Sequence, residues 1–149
     1  MKNLLNAPAF EEIKSRIEKL QPETKAIWGK MNVAQMLAHL QETFKVPLSK
    51  VPMPRMLIGR LIGWMLKPKL YNESAWKKNL PTAPNFIIKD EREFDKEKNN
   101  LLQIIQKFYA AGPAGIGNYP HPMFGSFTKE QWGQAMYKHA DHHLMQFGV

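Results

Sequence analysis

The recurrence of apolar residues at every third or fourth position, in segments with recognisable helix starts and stops, constrains this chain more than any other feature. Phe10, Ile13, Ile17 and Leu20 follow Pro8 at that spacing, and Gln21-Pro22 cuts the pattern off. Val33, Met36, Leu37, Leu40 and Phe44 follow Asn32, which with Gln35 forms an N-x-x-Q capping box. Pro47 is expected to stop that second helix. Phe94, Leu101, Leu102, Ile104, Ile105 and Phe108 mark a third, from about Glu93 to Ala111, with Ala111-Gly112-Pro113 as its stop. The last begins at Thr128, where Thr128 and Gln131 make a second capping box, and runs to about Phe147 with Gly148 as its cap. Four long helices predict an all-α fold, a helix bundle, and 149 residues predict one domain spanning 1–149 with room for a core.

Between the second and third helices the chain is expected to be irregular. Pro47, Pro52, Pro54, Pro68, Pro81 and Pro84 interrupt residues 45–92. A short amphipathic helix fits between Pro54 and Leu66, and the remainder reads as an extended loop packed on the bundle. The formal charge of +8 concentrates here: residues 45–80 carry eight Lys and Arg and a single acid, Glu73. A local basic field favours an anionic partner, whether a small charged substrate, a phospholipid surface or a nucleic acid, although it also fits a solvated surface. The most apolar stretch, MLIGRLIGWML, is too short to span a bilayer and no secretory signal is visible, so cytoplasmic is the expected location.

The chain has no cysteine, so a transition metal would have to sit on imidazole or carboxylate ligands. The last helix contains KHADHH, in which His139 and His143 lie one turn apart on one face. Two imidazoles so spaced can share one cation. Trp132, Met136, His139 and His143 follow one another at steps of four, three and four, which places the pair on a core-facing seam. His39, one turn after Gln35 and beside Met36, is the candidate third ligand. Gln35, Met36, Trp132 and Met136 are the candidate pocket. The competing account is hydrogen-bonded core histidines without a metal.

Around these residues, WGKMNVAQMLAHLQ at 28–41 and HPMFGSFTKEQWGQAMYKHADHHLMQFG at 121–148, the chain resembles the DinB-like superfamily, and within it a branch catalogued as a domain of unknown function. The resemblance implies a four-helix bundle in an up-down-down-up arrangement and a homodimer. It also implies zinc or nickel held by one histidine of the second helix and an H-x-x-x-H pair of the last, here His39, His139 and His143. Active relatives include thiol-dependent S-transferases and isomerases that use the metal to activate a low-molecular-weight thiol or a water, so the resemblance suggests a metal-dependent enzyme, of hydrolase or S-transferase type, with a small-molecule substrate. It does not carry an activity over to this branch.

Three further groups could serve such chemistry. His142 and His121 titrate near neutrality and could move protons. Glu42, one turn after His39, could orient a ligand or act as a base. Simpler roles compete with each: an exposed member of the histidine run, a residue fixing the turn before the last helix, and a solvated carboxylate. The alternative function is a non-catalytic interaction module in which the basic amphipathic segment 53–69 meets an anionic membrane or a protein partner. The simpler role there is a covering helix, its apolar side packed on the bundle or across a dimer interface. Nucleic acid is disfavoured, because no zinc finger, RNP motif or recognition helix is present.

Overall fold

Each capping box forms where the sequence places it. In the computed structural model, which describes residues 1–149, the Asn32 side chain accepts from the Gln35 amide at 2.8 Å and the Gln35 side chain accepts from the Asn32 amide at 3.1 Å. Thr128 and Gln131 repeat the exchange. These reciprocal bonds satisfy amides that a helix start leaves without partners. The elements in chain order are α1 (Ala7–Glu18), α2 (Val33–Leu48), α3 (Leu57–Leu66), α4 (Phe94–Gly115) and α5 (Lys129–Gln146). Two short 3-10 turns, Lys67–Leu70 and Pro84–Phe86, lie between α3 and α4. The chain is all-helical, with one isolated bridge at His121 and Gly125 and no strand. No helix is long and apolar enough to cross a membrane.

The core draws on four of the five helices. Phe10, Ile13 and Ile17 of α1 are buried, as are Leu37, Leu40 and Phe44 of α2, Leu101, Ile105 and Phe108 of α4, and Ala140 and Leu144 of α5. The α2–α4 contact is the most extensive, with Phe44 edge-on to Phe108 at 5.5 Å between centroids. Phe10 of α1 stacks on Tyr109 of α4 at 4.2 Å. Arg16 of α1 reaches Asp141 of α5 at 2.6 Å, and the Tyr137 hydroxyl donates to Glu12 at 2.8 Å. A buried polar bridge also joins α2 to α4, where the Gln41 amide donates to the Glu97 carboxylate at 2.7 Å.

Two boundaries differ from expectation. Pro47 does not end α2, which runs one residue further. Within a last turn, proline's fixed φ is tolerated and only one intrahelical bond is lost. Gly112 does break α4, with φ +57° and ψ −170°, but a further helical turn follows Pro113 to Gly115. Proline's preset φ suits the first turn of a restarted helix.

The short helix exists where the prolines and apolar residues put it, but it faces the opposite way. A covering helix would bury its apolar side; α3 leaves Leu57 78%, Leu61 74% and Trp64 74% exposed and buries only Gly59 and Gly63. Those two glycines lie one turn apart and rest on the backbone of Met123 and Phe124, where any Cβ would overlap the Met123 carbonyl oxygen. The Met56 amide donates to the Pro122 carbonyl at 3.0 Å, and the Lys67 ammonium donates to the Ser126 carbonyl. Backbone contact therefore fixes α3, and its large side chains are left over.

Candidate metal centre

α2 and α5 bring together three imidazoles that are distant in sequence. His39 lies two turns after the Asn32 cap and is 3% exposed; His143 is 9% exposed and His139 is partly buried. The Nε2 atoms of His39 and His139 are 3.2 Å apart. The ring centroids of His39 and His143 are separated by 4.8 Å and those of His139 and His143 by 5.0 Å. One nitrogen from each ring can be chosen so that all three lie within 4.8 Å of one another. Metal–nitrogen bonds of about 2.0–2.1 Å in a tetrahedron put ligand nitrogens about 3.4 Å apart, so small side-chain adjustments would complete the set.

The outer nitrogens of two of the three rings are already occupied in the manner a metal centre needs. His39 Nδ1 donates to the Phe86 carbonyl at 2.8 Å, and His143 Nδ1 donates to the Gln146 side-chain oxygen at 2.8 Å. Each bond fixes the tautomer that leaves Nε2 with a lone pair. The Gln146 amide nitrogen donates in turn to the Trp28 carbonyl at 2.6 Å, which ties the histidine cluster to the loop before α2. Burial pushes the His39 pKa down, and it pushes His143 down to about 3, aided by the neighbouring His39. Burial and the adjacent histidines hold His139 well below the ordinary imidazole range. All three are therefore kept neutral, the form that binds metals.

Two tryptophans border the cluster on its His142 side. The Trp76 ring lies 5.3 Å from His139 and 5.4 Å from His142, and Trp28 lies 5.8 Å from His142. The Trp76 indole N–H donates to the Lys69 carbonyl at 2.8 Å. Lys138, beside His139 on α5, donates to the same carbonyl at 2.7 Å, to the Asn72 carbonyl at 2.8 Å and to Asn72 Oδ1 at 2.6 Å. One ammonium thus pins the 69–76 strap across α5.

The other candidates take different places. His142 is buried between the two tryptophans and not exposed on the run. His121 Nδ1 accepts from the Met123 and Phe124 amides at 2.9 and 3.3 Å, which is the turn-fixing role. Glu42 pairs with Lys45 at 2.5 Å and makes no hydrogen bond to a histidine, so Phe86 takes the orienting position on His39. Gln35 is committed to its cap and to the Asp90 carbonyl at 3.2 Å. Trp132 packs on His121 and Phe127, while Met36 and Met136 belong to the core. A groove lies elsewhere, between 22–26 and 30–34 with Arg92 and Phe94.

Phe86, Gln146, Trp28, Trp76 and Lys138 carry much of this geometry without having been singled out in the sequence. Gln146 had a signal, since it lies three residues after His143 on one helix face. Phe86 had none, because it contributes a main-chain carbonyl from an irregular segment.

The model of a family described as "Protein of unknown function (DUF1569)" matches residues 1–148. No curated protein and no solved structure matches the chain.

Proposed function

Because the chain belongs to the DUF1569 family, whose description assigns no function, its chemistry has to be read from its own side chains, and we propose that it is a DinB-like metalloprotein centred on His39, His139 and His143. The observation that carries this is the convergence of three neutral imidazoles, two with their outer nitrogens already engaged by acceptors. In this reading α1, α2, α4 and α5 are the four helices of an up-down-down-up bundle. Imidazole-only ligation suits zinc or nickel.

A divalent cation held there would act as a Lewis acid, lowering the pKa of a bound water or small thiol at a position that three protein ligands leave open. Phe86 and Gln146 hold the ligand rings in register. Trp28 and Trp76 shield the cluster on the His142 side and favour a substrate with an apolar body. Lys78, whose ammonium lies 4.6 Å from the Trp28 ring centroid, supplies positive charge nearby for an anionic one. A hydrolase or a thiol-dependent S-transferase acting on a small anionic molecule is the reaction class this suits.

Elemental analysis of purified protein tests the centre. Wild type should retain close to stoichiometric zinc or nickel, and His39→Ala, His139→Ala and His143→Ala should each lose most of it while keeping helical circular dichroism. Equal metal content in all four proteins would end the proposal.

A further inference from the structure

The outward face of α3 has no role in the metal centre, and its composition is specific. At 100° per residue, Trp64, Leu57, Leu61, Met65 and Ile58 fall in one arc of about 120°, and all five are exposed. Gly59 and Gly63 occupy the opposite side, against Met123 and Phe124. The helix cannot turn its apolar arc inward, because Cβ atoms would then meet the Met123 backbone.

The charge around the arc identifies what it fits. Arg60 sits at its edge and is exposed. Of the eight cations in residues 45–80, only Lys45 has a carboxylate partner, Glu42. The single acid of the segment, Glu73, is already paired with the Met1 amino group at 3.1 Å. An apolar arc with a tryptophan, bordered by cations without counter-ions, is complementary to an anionic lipid surface. A second copy fits less well, since a two-fold contact through α3 would bring two net-positive segments together.

We infer that α3 is a membrane-surface anchor. Its arc from Leu57 to Met65 inserts among the headgroups of an anionic bilayer, and Arg60 at the edge of the arc meets the lipid phosphates. The helix lies in the interface and does not cross it, as a 10-residue element must. The anchor is independent of the metal centre, so loss of metal leaves it intact.

Flotation with phosphatidylglycerol–phosphatidylcholine vesicles, against phosphatidylcholine alone, tests this on the full chain. Wild type should float with the anionic vesicles at low salt, stay behind with the neutral ones, and be released as salt rises. Leu61→Glu and Trp64→Glu should each weaken binding on the order of tenfold or more, because each puts a carboxylate into the inserted arc. Arg60→Gln should weaken it about fivefold, the effect of one cation near such a surface. These residues are exposed, so circular dichroism and melting should match wild type. Failure of wild type to float would overturn the anchor, as would equal flotation with neutral vesicles or unchanged flotation of Trp64→Glu. A wild-type dimer in light scattering that Leu61→Glu dissociates, with no flotation, would assign the face to a second copy instead.

Discussion

Replacing Gln146 separates the orienting of a ligand from the packing around it. Its side chain is 4% exposed and makes two bonds of opposite sense, accepting from His143 Nδ1 and donating to the Trp28 carbonyl. Gln146→Leu leaves a ring N–H and a main-chain carbonyl buried without partners. At about 1–3 kcal/mol per orphaned group, partly offset by the added apolar burial, the loss should be about 2–4 kcal/mol. For a chain of this size that corresponds to a melting temperature lower by roughly 5–12 °C. The freed His143 ring should also bind metal about 10–100-fold more weakly. Gln146→Glu divides the two effects: a carboxylate still accepts from His143 and makes it a more basic ligand, but it cannot donate to Trp28. That variant should be destabilised yet hold metal at least as tightly as wild type. Metal competition titrations, with thermal melts of the apo proteins, check both halves. If Gln146→Glu loses metal as fully as Gln146→Leu, Gln146 acts through packing and the assignment of Nδ1 as donor is wrong.

Two further outcomes follow from other parts of the molecule. His121 has its pKa lowered to about 4 by burial, with Arg55 contributing, so below its ordinary value of 6.5 the unfolded chain takes up a proton before the folded one does. Its stabilising contribution is complete above pH 6.5 and falls away toward pH 4, with about 2 kcal/mol lost at pH 5. Urea unfolding of wild type and His121→Asn at pH 7 and pH 5 should show a smaller decrease in the variant, and equal decreases would contradict the assignment. Gly63→Ala should push α3 away from Met123 at a cost of about 1–3 kcal/mol. Limited proteolysis should then cleave near Arg60 before the α5 core opens, and an unchanged digestion pattern would mean that the contact is not tight.

Helix starts were readable in the sequence because a capping box is local: Asn32 and Gln35, or Thr128 and Gln131, need nothing outside four residues. The candidate ligands were readable for a related reason. His139 and His143 share a face by spacing alone, and the seam from Trp132 gave that face a direction. The facing of α3 was not readable from its apolar residues, because periodicity says which side is apolar and not which side meets the protein. The deciding residues were Gly59 and Gly63, whose missing side chains let two backbones touch. Phe86 and the 69–76 strap were out of reach because main-chain carbonyls carry no residue-specific signal.

Lys138 and His139 are neighbours on α5, one holding the strap and the other placed among the candidate ligands. The consequence is kinetic. A fluctuation that breaks the three bonds of the Lys138 ammonium releases Asn72 and Lys69 and, with them, the acceptor that holds the Trp76 indole beside His139 and His142. Solvent reaches that side of the centre through the same event. The lifetime of a bound cation would then be set by the local opening free energy of the strap as well as by the strength of three imidazole bonds, so that a centre with tight ligands can still exchange its metal quickly.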